Sequence, residues 1–189
     1  SPVFLAGESY GGFRVAKLAK SLQDKFGVNL NGAFLISPAL EWALLSPSDY
    51  DILPWIHSYP SFALTAAFHG RSRSLDYKAD GVTGVTKKAE DFALNQLSRF
   101  LLSGELMDPA ERDSILEEMA DQLGLDPVVV KRAHGRMLHV NFSRELLKDK
   151  EQFCGLYDST ITSDDPYPDR TNFEGPEPSL SVIDRVFTG

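Results

Sequence analysis

The residues Gly7-Glu8-Ser9-Tyr10-Gly11 set a serine between two glycines in the pattern Gly-x-Ser-x-Gly. Such a serine can act as the nucleophile of acyl transfer when a sharp turn between a strand and a helix presents its hydroxyl. The pattern alone is weak, since at average residue frequencies chance supplies it in roughly one of sixteen chains of this length. Its significance therefore depends on the elements on either side.

The flanking segments have the patterns of strands and a helix. Residues 3–6 form a short apolar run that predicts a buried strand, and residues 33–37 predict a second one. Between them, apolar residues recur at helical spacing from Gly12 until Gly27, which is expected to end the helix. Together these elements predict a βαβ unit with a parallel sheet.

Within this unit, the turn itself predicts two further features. Side chains at Gly7 and Gly11 are expected to collide with the adjoining strand and helix, so both positions need glycine. The helix directs its first amides toward Ser9, and the Tyr10 N–H is therefore a candidate oxyanion donor. The alternative is that Ser9 lies in a glycine-rich turn with no catalytic role.

The six residues Gly7-Glu8-Ser9-Tyr10-Gly11-Gly12 resemble the nucleophile motif of the serine carboxypeptidase family. Shorter segments that also resemble bacterial members are Phe4-Leu5-Ala6, Leu35-Ile36-Ser37-Pro38, Leu53-Pro54 with His69-Gly70, Glu90-Asp91-Phe92-Ala93 and Gly124-Leu125-Asp126-Pro127. The resemblance implies a partial α/β-hydrolase fold and an enzyme that releases C-terminal amino acids from peptides through an ester on Ser9. Its implied partner is a peptide with a free C-terminus.

By the same resemblance, Glu8 recognises the α-carboxylate of the substrate. Two carboxyl groups can approach each other only if one of them holds a proton, which predicts an acidic working pH. The alternative is that Glu8 forms an ion pair with a cation of the scaffold.

The remaining catalytic groups are expected outside this chain. In α/β-hydrolases the triad follows the order Ser, Asp, His, so the acid and the base are predicted beyond residue 189, and the loop with the second oxyanion donor before residue 1. The four histidines, His57, His69, His134 and His139, are interpreted as surface or packing residues. The 189-residue chain by itself is therefore predicted to be inactive as a peptidase.

Three segments are predicted along the chain. Residues 1–39 belong to the α/β-hydrolase core, residues 40–150 form a mostly helical cap insertion, and residues 151–189 form an extended, acidic, proline-rich loop that leads back towards the core. Within the cap, Asp108 before Pro109 predicts the N-terminus of a helix that ends near Leu123, and Asp126 repeats the signal.

The composition narrows the classes of partner. A net charge of −8 weighs against nucleic acid, and no apolar stretch approaches the length of a membrane span. No His, Cys, Asp or Glu cluster has metal-ligand spacing, so neither a metal nor another cofactor is expected.

The aromatic residues Tyr50, Trp55, Tyr59, Phe62 and Phe68 could line a pocket, but such runs more often pack a core. Compartment and oligomeric state are not indicated.

Two other functions remain open at this stage. One is an esterase or lipase on the same fold, because the elbow identifies the nucleophile but not the leaving group. The other is a catalytically inactive hydrolase relative whose helical cap acts as a binding module.

Overall fold

The computed structural model describes residues 1–45, 48–170 and 177–188, without the side chains of residues 183, 184, 187 and 188. It is a mixed α/β structure in which helices predominate over a few short strands. The chain forms two compact units, Ser1–Pro54 and Trp55–Gly189, which are described separately. The division lies beyond residue 39, where the sequence predicts the core segment to end.

The first unit is built on a strand, a helix and a strand, as predicted. β1 (Phe4–Glu8) and β2 (Gly32–Ile36) pair in parallel along their whole length. α1 (Tyr10–Phe26) connects them and ends at Gly27, which adopts the left-handed conformation and donates its N–H to the carbonyl of Leu22. The βαβ prediction is therefore confirmed.

Both strands are predicted to be buried, and that prediction is wrong for both. The β2 side chains from Ala33 to Ile36 are exposed, and in β1 exposed residues alternate with half-buried ones. The reason is the size of the sheet: no third strand pairs with β1 or β2 among the described residues. Apolar side chains that a larger parallel sheet would cover therefore face solvent.

Two helices follow the sheet. α2 (Trp42–Leu45) is a single turn, and α3 (Leu53–Phe68) lies almost entirely in the second unit. The preference for core packing over a pocket is confirmed for Trp55, Tyr59 and Phe62, which are buried. The other two aromatic residues of that stretch, Tyr50 and Phe68, are exposed.

The next helical segment changes its winding. α4 (Tyr77–Phe92) begins at Asp76, whose carboxylate accepts hydrogen bonds from two backbone amides of the first turn. It continues directly into a π-helical turn (Ala93–Leu97) and then into α5 (Ser98–Ser103). A π turn contains one residue more than an α turn and is frequent at functional sites.

The predicted helix signals in the middle of the chain are confirmed. α6 (Pro109–Leu123) follows Asp108, whose carboxylate accepts hydrogen bonds from the first-turn amides, and ends at Gly124. α7 (Pro127–Arg132) begins after Asp126 in the same way. A short 3₁₀ turn, Gly104–Leu106, precedes this pair.

α8 (His139–Glu145) is followed by a 3₁₀ turn, Lys148–Lys150. The residues after this turn are predicted to form an extended loop, but they contain regular elements. β3 (Gln152–Cys154) and β4 (Thr162–Asp164) form an antiparallel pair, and α9 (Pro178–Thr188) is a helix. Residues 171–176 of the predicted loop lie outside the described residues.

The physical reason for α9 is an N-terminal cap. The carboxylate of Glu177 accepts hydrogen bonds from the Ser179 hydroxyl, the Leu180 amide and the Leu156 amide, and Pro178 suits the first helical position. These bonds lower the pKa of Glu177 despite the opposing effect of desolvation, which is the largest single contribution.

A buried arginine fixes the loop after β4. Arg144 of α8 pairs with Asp165 at 2.6 Å, with both side chains at most 10% exposed, and also donates to the carbonyls of Tyr167 and Arg170. Because an unpaired charge at such depth would be strongly unfavourable, the loop is tied to this helix. The fully buried apolar residues of the second unit include Ala63, Ala66, Val85, Ala89, Leu97, Ala120, Leu123, Val130 and Leu146.

Among the described residues, no helix combines the length and the apolar character needed to cross a bilayer.

The end of α6 generates a stability prediction. Gly124 has a φ of +64°, and a Cβ there would lie 2.4 Å from the carbonyl oxygen of Arg71. Gly70 has the same φ of +64° with nothing within 4 Å of such a Cβ, and it is the matched control. We expect Gly124→Ala to lower the free energy of unfolding by about 3 kcal/mol, and Gly70→Ala by about 1 kcal/mol, in urea titrations. Equal losses would show that the collision with Arg71 has no effect.

Candidate active site

Ser9 occupies a strained turn between β1 and α1. Its φ of 53° and ψ of −119° lie in a region that residues with a Cβ rarely adopt. Three backbone hydrogen bonds hold it there: the Ser9 N–H donates to Ile36 at 3.0 Å, and the Ser9 carbonyl accepts from Gly12 at 3.1 Å and Ala39 at 3.0 Å. A sharp, strained turn between a strand and a helix is also a feature of nucleophile elbows.

The glycines of the turn have unequal importance, which corrects the sequence interpretation. A Cβ at Gly7 would lie 2.3 Å from the carbonyl oxygen of Gly11, so Gly7 is required as predicted. A Cβ at Gly11 would meet nothing within 4 Å, and that part of the prediction is wrong. The crowded position is Gly12, where a Cβ would lie 2.6 Å from the Cβ of Pro38.

Gly12 and Ala39 are thus residues of the site that the sequence interpretation missed. The signal for the first was the doubled glycine after Tyr10, since two adjacent glycines at a helix start are uncommon without a packing reason. The Ala39 amide bonds to the Ser9 carbonyl only because residues 37–39, after β2, pass close to the Ser9 turn. No sequence pattern predicts that these residues pass there.

The Tyr10 amide, the candidate oxyanion donor, lies at the N-terminus of α1. It is the first residue of α1, where backbone N–H groups have no acceptor within the helix. No acidic side chain lies in the first turn, so the positive end of the helix dipole is not neutralised there. The arrangement favours a negative charge that develops next to Ser9.

The side chains of Glu8 and Ser9 are both exposed. Neither makes a hydrogen bond or an ion pair within the part of the chain that the structure describes. The scaffold ion pair considered for Glu8 therefore has no described partner, and both groups can meet a ligand.

Aromatic rings surround the start of α1. The Tyr10 ring lies 5.9 Å from Phe13 and 5.6 Å from Trp42, measured between centroids. The Arg14 guanidinium lies 6.0 Å from the Tyr10 centroid. This cluster gives the surface beside Ser9 an apolar character with cationic flanks.

The first unit, Ser1–Pro54, contains no histidine, so a histidine that acted as a base on Ser9 would have to come from outside it. His69 Nε2 lies 2.7 Å from the Ser159 carbonyl oxygen, and the His139 ring packs edge-on against Phe62. Partial desolvation lowers the pKa of His139. His57 and His134 are exposed, and the interpretation of all four as packing or surface residues agrees with these surroundings.

Within the described residues, no group of three or more His, Cys, Asp and Glu side chains could hold a metal ion. Compared with protein-family models, with curated proteins and with solved structures, the chain matches none. The choice of function therefore rests on the motif and on the geometry of its turn.

Cys154 is a further candidate nucleophile, because its Sγ lies 3.6 Å from His69 Nε2. Cys154 is 1% exposed, and burial raises its pKa to about 11. Only the thiolate reacts with iodoacetamide. At about pH 8 the folded protein should therefore hold roughly a hundredfold less thiolate than a thiol of pKa 9.0.

We expect iodoacetamide to alkylate Cys154 at least about a hundredfold more slowly in the folded chain than in the urea-unfolded chain, as measured by mass spectrometry. Equal rates in the two states would contradict the burial of this thiol.

The crowding at Gly7, which is absent at Gly11, can be tested by substitution. Gly7→Ala should expose β1, so that hydrogen exchange of its amides accelerates by about tenfold or more, because the new Cβ overlaps the start of α1. Gly11→Ala is the control and should leave exchange in β1 unchanged. Acceleration by both variants to the same extent would argue against the crowding seen at Gly7.

Proposed function

We propose that Ser9 is the nucleophile of a serine-type carboxypeptidase with an α/β-hydrolase fold. The observation that carries the proposal is the strained backbone of Ser9 between a parallel strand and a helix, with its hydroxyl exposed. Strain of about 1 to 3 kcal/mol at a single residue is typical of functional positions. The six-residue motif from Gly7 to Gly12 supports the choice of a carboxypeptidase within this fold.

In the proposed reaction, the Ser9 Oγ attacks the carbonyl carbon of the last peptide bond, and its proton passes to a base from outside the first unit. The negative charge on the carbonyl oxygen is stabilised by the Tyr10 N–H. Collapse of this intermediate breaks the C–N bond and releases the C-terminal amino acid, which takes up the proton. Water then hydrolyses the ester on Ser9.

Glu8 is proposed to bind the α-carboxylate of the substrate. It is exposed, has no described ionic partner and directly precedes Ser9, so a group bound at Glu8 lies close to the nucleophile. A hydrogen bond between two carboxyl groups needs one shared proton, and this requirement favours activity at acidic pH.

The decisive test uses the complete translation product that contains these residues. We expect it to release C-terminal amino acids from free-acid peptides, and Ser9→Ala to reduce kcat by at least about 10³-fold. Ser37→Ala is the matched control, because Ser37 is also an exposed serine with positive φ, of 41°, in the same unit. It should keep most of the activity.

Other outcomes would overturn the proposal in distinguishable ways. Preference for simple esters over peptides would favour an esterase or lipase. Absence of Ser9 labelling by a serine-directed phosphonate, in a folded protein, would favour an inactive relative that acts as a binding module. Ser9-dependent release of amino acids by the 189-residue chain alone would instead support the proposal, and would contradict only the predicted inactivity of that chain.

The role of Glu8 has its own test. Glu8→Gln should reduce kcat/KM for free-acid peptides by about tenfold to a hundredfold at acidic pH, because a neutral amide cannot share the carboxylate proton in the same way. Cleavage of the matching peptide amides, which lack the second carboxyl group, should change little. A uniform loss for both substrates would indicate that Glu8 only supports the turn.

A further inference from the structure

A cleft of about 520 Å³ lies in the second unit. Its lining comes from the loop before α4, from α4 with the following π turn, and from α6. The lining residues are Ser74, Leu75, Lys88, Asp91, Phe92, Asn95, Gln96, Glu118 and Gln122. The volume falls within the range of small-molecule sites, about 300 to 1,000 Å³.

A chain of two hydrogen bonds leads from the buried Tyr59 to this cleft. The Tyr59 hydroxyl, on a residue that is 1% exposed, donates to Gln122 Oε1 at 2.9 Å. The Gln122 Nε2, on a residue that is 5% exposed, donates in turn to Glu118 Oε1 at 3.1 Å. Each donor points toward the next acceptor, so the chain fixes the Glu118 carboxylate at the wall of the cleft.

The charges around the cleft favour a cation. Lys88 Nζ is engaged by Asp80 at 2.6 Å, and Asp91 pairs with Lys87 at 3.2 Å. Glu118 has no ion pair within the described part of the chain. The charge of Glu118 also acts on the buried Tyr59 hydroxyl: burial raises the pKa of Tyr59, and the nearby Glu118 charge raises it further.

The other lining residues are apolar or carry amides, and they can contact the uncharged part of a cationic ligand. Leu75 and Phe92 are buried apolar residues, at 7% and 3% exposed, and can contact an alkyl chain. Asn95 and Gln96 of the π turn also line the cleft. The Asn95 Nδ2 donates to the Asp91 carbonyl at 2.7 Å, which leaves its Oδ1 for a ligand. Both side chains can hydrogen-bond to polar atoms beside the charge.

We infer that this cleft binds an alkylammonium or alkylguanidinium group, with the cation at Glu118 and its carbon chain against Leu75 and Phe92. The group can belong to a small amine or to a basic side chain of a peptide. The inference does not depend on the chemistry proposed for Ser9.

The test is an NMR titration of the ¹⁵N-labelled chain with n-butylammonium chloride. Saturable shifts are expected for the side-chain amides of Asn95, Gln96 and Gln122. Glu118→Gln should weaken binding by at least about tenfold, since it removes a charged hydrogen-bond acceptor. Glu117→Gln is the matched control: it removes the neighbouring charge, which pairs with Lys131 at 3.3 Å outside the cleft, and should change affinity by less than about twofold.

A second variant separates the hydrogen-bond chain from the charge. Tyr59→Phe keeps Glu118 and the packing but removes the hydroxyl that orients Gln122, and it should weaken binding by about twofold to tenfold. The tripeptide Ala-Lys-Ala, titrated in parallel, separates the two sources of the ligand: tighter binding than n-butylammonium indicates a basic peptide, and weaker binding a free amine.

Three results would overturn the inference. The first is the absence of shifts at the cleft at millimolar n-butylammonium. The second is equal affinity for uncharged pentan-1-ol, and the third is an equal loss in Glu117→Gln and Glu118→Gln.

Discussion

The backbone of Ser9 is held outside the conformations that a serine prefers, and the rest of the first unit is arranged around that constraint. Its amide and carbonyl are bonded to Ile36, Gly12 and Ala39, which belong to β2, to α1 and to the segment after β2. A turn in which three segments meet leaves no room for a Cβ at Gly7 or Gly12. Strain of about 1 to 3 kcal/mol can persist because the surrounding pairing specifies this one geometry.

The local part of this arrangement could be predicted from the sequence. Apolar runs, helical spacing and Gly27 are short-range signals, and they gave the order of strand, helix and strand correctly. Burial of β2 could not be predicted in the same way, because an apolar strand is buried only where other elements cover it. The need for glycine at position 12 rather than 11 depends on the approach of Pro38, which lies far along the chain.

The second unit shows the same limit. Asp108, Gly124 and Asp126 act on amides or carbonyls within a few residues, so their roles could be predicted. Tyr59 in α3 and Gln122 in α6 are 63 positions apart in sequence, and no periodicity links them. The only local signal was Gln122 beside the apolar Leu123 and two positions after Ala120, with the charged Asp121 between them, and this pattern does not identify a partner.

The π turn at Ala93–Leu97 has a consequence for the numbering of helical faces. An α-helix advances by about 100° per residue, so faces assigned by residue number are displaced by one position after a turn that holds one additional residue. Faces assigned by counting from Val82, after the non-helical Gly81, therefore no longer apply beyond Phe92. Removal of one residue from this turn would restore the hydrogen-bond spacing of an α-helix, so α5 would keep the face that it now buries. The wide turn thus lets the chain between the two helices be one residue longer without exchanging the buried and exposed faces of α5.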